Sequence, residues 1–259
     1  MKSPRSILIT GASGGIGAAL AESYAAPGTH LALGGRDPAR LAAVAERCRA
    51  RGATATETIV EVTDAAAVAA WVEATDRAAP LDLAIANAGI QGGQFGASRS
   101  ERLEEAERVM RVNFIGACNT VHPVMAVMRP RGRGQIALIA SLAGLRGLPY
   151  SPGYCASKAA LKAYGEALRS WLQPEGVEVA VVLPGFVETR MSNAIRGPKP
   201  LMISAERAAH IIRRGLARGR RQIAFPFSLY LGMHLLRALP AGLADRLLRR
   251  VEVDVGPYE

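Results

Sequence analysis

Short apolar runs rich in Val, Ile and Leu recur along this chain, and between them lie longer stretches in which apolar positions return every three or four residues. The first pattern suits strands and the second amphipathic helices. Strands are predicted at Ser6–Thr10, His30–Gly34, Thr56–Val60, Leu81–Ala86, Gly134–Ala140 and Val177–Leu183, with a shorter seventh at Gln222–Phe225 and helices between them. Strands this continuously apolar are buried on both faces, the environment of a parallel sheet packed between two layers of helices. The predicted architecture is α/β, a doubly wound, mostly parallel seven-stranded sheet with helices on both faces. The stretch Phe186–Ile203, with Pro198 and Pro200, reads as a loop.

Composition narrows this picture. With 259 residues, 49% hydrophobic and 21% charged, the chain can fill one large core, and residues 1–259 are read as a single domain. Near the N-terminus the only apolar run is Ile7–Ile9, too short for a secretory leader, so a cytoplasmic protein is expected. Cys48, Cys118 and Cys155 are odd in number and far apart, which fits neither a disulfide framework nor a zinc site. Cys155 is either a small buried filler or a reactive thiol. His30, His122, His210 and His234 lack metal-ligand spacing, and no metal is expected.

Charge changes the picture at one end. The net charge is +10, and residues 205–250 alone carry ten arginines against Glu206 and Asp245, a net of +8. Aromatic residues are sparse there and no nucleic-acid motif accompanies the charge, so no nucleic-acid partner is expected. Within this region residues 226–250 form an apolar stretch broken by Pro226, His234, Arg237 and Pro240, which excludes a membrane span. An amphipathic helix pair is predicted, serving as a lid, a subunit contact or a peripheral membrane surface.

Two stretches carry candidate chemistry. In YCASK, residues 154–158, Tyr154 and Lys158 stand four apart and would share a helix face, an arrangement that serves either packing or chemistry. In TGASGGIG, Thr10–Gly17, the first strand runs through a glycine-rich turn into a helical pattern. Gly11 suits the tight turn, and Gly15 and Gly17 let backbone approach a pyrophosphate at the helix N-terminus, with Ser13 and Ile16 on the same turn.

The turn's G-x-x-x-G-x-G spacing is followed in order by Asn87-Ala88-Gly89, Val112-Asn113, Ser141 after the fifth strand, YCASK, and PGFVET at Pro184–Thr189. On these motifs residues 5–190 resemble the short-chain dehydrogenase/reductase family of the Tyr-x-x-x-Lys type. The resemblance implies a Rossmann-like fold, a nicotinamide cofactor, a small-molecule carbonyl or alcohol substrate, and a homodimer or homotetramer. It also implies a catalytic set of Asn113, Ser141, Tyr154 and Lys158. A carbonyl accepting hydride develops alkoxide character, so its oxygen must be polarised and protonated. Tyr154 would act as acid in reduction and base in oxidation, its phenol lowered from near 10 by the Lys158 cation and an oxidised nicotinamide. Ser141 would hydrogen-bond the substrate oxygen, Lys158 would also hold the ribose hydroxyls, and Asn113 matches a helix-kinking asparagine that binds a relay water.

The remaining contacts follow from the same resemblance. Asn87, Ala88 and Gly89 line the adenine-ribose side, and Pro184, Gly185, Val187 and Thr189 contact the carboxamide and open a substrate loop over 186–203. Glu61-Val62 stands where the family often has Asp-Val beside adenine, and the longer acid alters that contact. In LALGGRD, Leu31–Asp37, the position that carries a ribose-binding acid in NAD enzymes falls on Gly35, and Arg36 follows. That pattern predicts NADP(H) over NAD(H). The discrimination is tempered by Gly14 at the turn's basic position and by Asp37, placed to neutralise part of Arg36. Ile90, Phe95, Leu142, Leu145, Leu148, Phe186 and Met191 are predicted to face an apolar substrate. The alternatives are a 3-ketoacyl-type or lipid keto reductase, and a catalytically silent NADP-binding module docked on a partner or membrane.

Overall fold

The computed structural model describes residues 3–92 and 101–249, with backbone alone at 254–255. Its strands are β1 (Ser6–Thr10), β2 (His30–Gly35), β3 (Thr54–Ile59), β4 (Leu83–Ala86), β5 (Gly134–Ile139), β6 (Val177–Pro184), β7 (Ile195–Arg196), β8 (Gln222–Phe225) and β9 (Asp254–Val255). Its α-helices are α1 (Gly15–Tyr24), α2 (Pro38–Ala50), α3 (Ala65–Ala78), α4 (Leu103–Met110), α5 (Gly116–Met128), α6 (Pro152–Leu172), α7 (Arg190–Asn193), α8 (Ala205–Ala217), α9 (Phe227–Ala238) and α10 (Ala241–Leu248). Seven strands form one sheet in the order β3-β2-β1-β4-β5-β6-β8, all parallel. Side chains alternate across a strand, so Ile7 and Ile9 of β1 face one helical layer and Leu8 the other. Leu20, Leu41, Val44 and Ile212 pack on the first face. Val68, Trp71, Val124 and Leu161 pack on the second.

The predicted strands are all present, with local shifts. β4 starts at Leu83 rather than Leu81 because side chains hold the preceding residues: Leu81 N donates to Asp76 Oδ1 at 2.8 Å, and Asp82 Oδ2 accepts from Arg5 N at 2.8 Å. β3 begins two residues earlier than its apolar pattern, since as an edge strand it follows the β2 ladder while its side chains alternate in exposure. The stretch 186–203 is not wholly a loop. Thr189 caps α7, its Oγ1 accepting from Ser192 N at 3.2 Å, and β7 pairs antiparallel with β9. Segments of two and four residues are too short to register a period. The predicted C-terminal helix pair is α9 and α10, and Arg250 at its end lies outside the described residues.

Between α4 and α5 runs one widened turn, Arg111–Ile115, in which the Gly116 N–H reaches back five residues to the Arg111 carbonyl. It bends the helix at Asn113.

The sheet order reverses between β1 and β4, and ligands of such sheets bind in the crevice beyond the strand ends at that point. A side chain closes it from below. Thr10 Oγ1 accepts from Asn87 N at 3.0 Å and Ala88 N at 3.1 Å. Asn87 Nδ2 returns bonds to Thr10 O at 3.0 Å and Gly11 O at 3.2 Å. Thr10→Val keeps the shape and strands two amide donors, at a cost of about 1–3 kcal/mol. Urea unfolding should show that loss, and a midpoint equal to wild type would show the bonds to be dispensable.

Candidate active site

A cleft of about 1180 Å³ runs along the C-terminal ends of the central strands. Gly11, Ser13, Gly15, Ile16, Arg36, Glu61, Val62, Asn87, Ala88, Gly89, Ser141, Tyr154, Lys158, Pro184, Gly185, Val187 and Thr189 all line it. Two residues of the sequence-predicted set, Gly17 and Asn113, stand behind its wall.

The glycine-rich turn fits a dinucleotide because it holds no side chains where backbone must come close. Gly11 sits at φ +66°, and a Cβ there would lie 2.9 Å from Ala88 Cα. A Cβ on Gly17 would lie 2.3 Å from Gly11 O. The turn is thereby pressed on the end of β4, with the first amides of α1 facing the cleft.

The candidate proton-transfer groups meet at the other end. Tyr154 and Lys158 lie one turn apart on α6, with Lys158 Nζ 5.8 Å from the Tyr154 ring centre. The ammonium donates to Ile139 O at 2.9 Å, at the end of β5. Ser141 follows β5; its Oγ accepts from Ala143 N at 3.1 Å and donates to Pro184 O at 3.4 Å, so it caps a turn and lines the cleft at once.

Burial dominates the electrostatics of both groups. Among the protein's own groups, burial pushes the Tyr154 phenol up to about 12, and a hydrogen bond with Ser141 only partly opposes it. Burial also brings Lys158 down to about 8. Desolvation is the largest influence on both groups, and the lowering expected of the phenol draws on the positive charge of an oxidised nicotinamide as well.

Asn113 stands in the widened turn and is held by its side chain. Its Oδ1 accepts from Ile90 N at 2.7 Å, and its Nδ2 donates to Ile90 O at 3.0 Å and Ser157 Oγ at 3.0 Å. Both ends of the amide are engaged by protein, so the side chain pins the chain after β4 to α6 and does not face the cleft. Cys155 is buried and pushed up to about 11 by that burial, which fits the filler reading.

At the adenosine end the charges pair differently from expectation. Asp37 caps α2, accepting from Arg40 N at 3.0 Å, and its carboxylate lies 3.6 Å from the Arg40 guanidinium rather than against Arg36. Arg36 pairs with Glu61 at 3.5 Å. Arg40 was missed by the sequence reading, as were Tyr150, Gln91, Leu229, Met233 and Leu248, all on the cleft wall. Of the predicted substrate-facing residues, Ile90, Leu142, Leu148, Phe186 and Met191 line the cleft. Leu145 instead packs into the core and borders a smaller neighbouring cavity, and Phe95 lies outside the described residues. Among the described residues no group of three or more His, Cys, Asp or Glu is placed to hold a metal.

Comparison with known proteins agrees with this geometry. The family model for short chain dehydrogenase matches residues 5–199. An uncharacterized oxidoreductase of Myxococcus xanthus is 35% identical, over 95% of this chain and 97% of its own. The ketoacyl reductase HetN of Nostoc is 32% identical, over 79% of this chain and 72% of its own. A short chain dehydrogenase/reductase from Burkholderia phymatum in complex with NAD has the same fold, with a TM-score of 0.82 at 24% identity over 100% of this chain and 99% of its own. An alcohol dehydrogenase from Thermococcus sibiricus complexed with 5-hydroxy-NADP superposes with a TM-score of 0.74 at 26% identity, over 85% of this chain and 94% of its own.

Gly17→Val tests the cradle. The added carbons would meet a backbone carbonyl that cannot retreat, costing about 1–3 kcal/mol of stability. Dinucleotide affinity, followed by fluorescence titration, should fall by roughly tenfold or more, one decade for about every 1.4 kcal/mol of binding lost at the turn. Wild-type affinity would show that the turn does not hold the pyrophosphate.

Proposed function

The chain belongs to the short-chain dehydrogenase family, and from that premise we propose that it is an NADP(H)-dependent oxidoreductase interconverting the carbonyl and alcohol forms of an apolar substrate. What carries the proposal is the meeting of Ser141, Tyr154 and Lys158 on one cleft with the glycine-rich turn. When bound there, a nicotinamide dinucleotide supplies the hydride for reduction or takes it in oxidation. Ser141 donates a hydrogen bond to the substrate oxygen. Tyr154 gives that oxygen a proton in reduction and removes one in oxidation, and the adjacent Lys158 charge stabilises the phenolate this leaves. Gly11, Ser13, Gly15 and Ile16 would hold the pyrophosphate, and Lys158 the ribose.

Likeness alone does not choose the cofactor, since the two solved relatives carry NAD and an NADP derivative. Two arginines favour the phosphorylated form. Gly35 brings no acid to repel a 2′-phosphate, and Arg36 and Arg40 both line that end of the cleft. An Arg40 terminal nitrogen lies 2.6 Å from where a Cβ of Gly14 would be, so the guanidinium spreads over the glycine-rich turn itself. Leu142, Leu148, Phe186, Met191, Leu229 and Met233 give the other end an apolar wall. A 3-ketoacyl substrate is the second reading, favoured by the similarity to the Nostoc ketoacyl reductase.

Tyr154→Phe is expected to lower turnover by about 10²- to 10⁴-fold while NADPH binding stays near normal. The protein holds the phenol protonated up to about 12, so carbonyl reduction, which uses the acid form, should stay level from about pH 6 to 8. Alcohol oxidation uses the phenolate and should climb with pH over the same range. A Tyr154→Phe chain with most of its kcat, or an oxidation rate that falls with rising pH, would remove Tyr154 from the chemistry. For the cofactor, kcat/KM with NADPH should exceed that with NADH by about ten- to a hundredfold. Arg36→Ala and Arg40→Ala should each erode this ratio, mainly through NADPH affinity. Equal values for the two cofactors in the unmodified chain would overturn the preference.

A further inference from the structure

The C-terminal helices α9 and α10 leave an apolar surface uncovered. Phe227, Leu231 and Leu235 fall at i, i+4 and i+8 on one face of α9 and are 71%, 47% and 61% exposed. Leu243 and Leu247, also one turn apart, are 46% and 41% exposed on α10. None of the residues of α9 is fully buried. The helix rests on the core through the partly buried Leu229, Tyr230 and Met233. A soluble surface seldom holds so many large apolar side chains on two consecutive helices without a partner.

Charge selects the partner. Arg237, Arg246 and Arg249 are exposed on the same two helices and their ends, with no acidic side chain paired to them among the described residues. The one acid of the segment, Asp245, is already paired with Arg146 at 2.6 Å. A second copy of this chain laid on the surface would set arginines against arginines. An anionic lipid surface offers hydrocarbon to the leucines and phosphate to the guanidiniums together. No described helix is long and apolar enough to cross a membrane, which leaves seating on the surface.

We propose that α9 and α10 dock this protein on an anionic lipid bilayer through Phe227, Leu231, Leu235, Leu243 and Leu247, with Arg237, Arg246 and Arg249 at the headgroups. The inner sides of the same helices, Leu229, Met233 and Leu248, line the cleft. Docking therefore brings the cleft wall to the bilayer, where an apolar carbonyl compound is concentrated. That use rests on the oxidoreductase reading, whereas the docking stands on the surface alone.

Co-sedimentation of the full chain with vesicles tests it. The protein should pellet with phosphatidylcholine–phosphatidylglycerol vesicles at low salt, remain in solution with phosphatidylcholine alone, and be released from the anionic vesicles at roughly 0.5 M salt. The pair Leu231→Ser and Leu235→Ser, and separately the pair Arg246→Glu and Arg249→Glu, should each weaken binding by about tenfold or more. These side chains are exposed, so both variants should keep the wild-type melting temperature. Tyr154→Phe should pellet like wild type, so a failure of the catalytic reading leaves this assay unaffected. The proposal is overturned if the unmodified chain stays in the supernatant at low salt, if neutral vesicles pellet it equally well, or if the leucine variants change its oligomeric mass in light scattering and leave vesicle binding intact.

Discussion

Everything at the cleft depends on how the ends of β1 and β4 are tied together. At a reversal of strand order the following chains diverge to opposite faces, and the last peptide groups lose their ladder partners. In a buried setting each such group costs free energy unless a side chain replaces the partner. Thr10 and Asn87 do this reciprocally, one hydroxyl taking two amides and one carboxamide giving to two carbonyls. The tie fixes the glycine turn against Ala88, and three residues beyond Asn87 the chain is tied again, by the Asn113 carboxamide to both polar groups of Ile90. Asn113 is buried in the widened turn, and its third bond, to Ser157, carries the alignment to α6. A continuous run of hydrogen bonds thus connects the turn that would hold phosphate to the helix that carries Tyr154 and Lys158.

That helix keeps two ionisable groups in an environment suited to neither charge. Burial raises the phenol to about 12 and lowers the ammonium to about 8, so at neutral pH the protein by itself holds a protonated tyrosine beside a lysine that is still mostly cationic. The cost of the buried cation is offset by the Ile139 carbonyl. The phenol is thereby an acid in waiting, and phenolate becomes favourable only as further positive charge enters the site.

The five inner strands were legible because burial on both faces writes itself into consecutive residues, whereas the edge strands β3 and β8 alternate in exposure. The proton-transfer trio was legible because its members sit in short ordered motifs. What escaped depends on contacts distant in sequence. β9 pairs with β7 across some sixty residues with no period in either, which is beyond any local pattern. The burial of Asn113 needs the peptide groups of Ile90 to reward it. The rise of the Tyr154 phenol comes from burial, which its five-letter motif does not carry.

The arginines of the adenosine end follow the same rule in a way that bears on what they are for. Arg36 and Glu61 are 62% and 41% exposed at 3.5 Å, and an open pair of this kind adds little to stability. Arg40 spends its backbone N–H on the Asp37 cap, and its guanidinium turns back over Gly14. A side chain at position 14 would begin 2.6 Å from that guanidinium and would displace it from its present place. A basic residue in the turn and Arg40 in its present place are therefore alternatives. The chain brings a cation to the turn from the first turn of α2, distant in sequence and adjacent in space. Both arginines line one end of an open cleft, and an exposed pair of the Arg36–Glu61 kind contributes little to holding the fold.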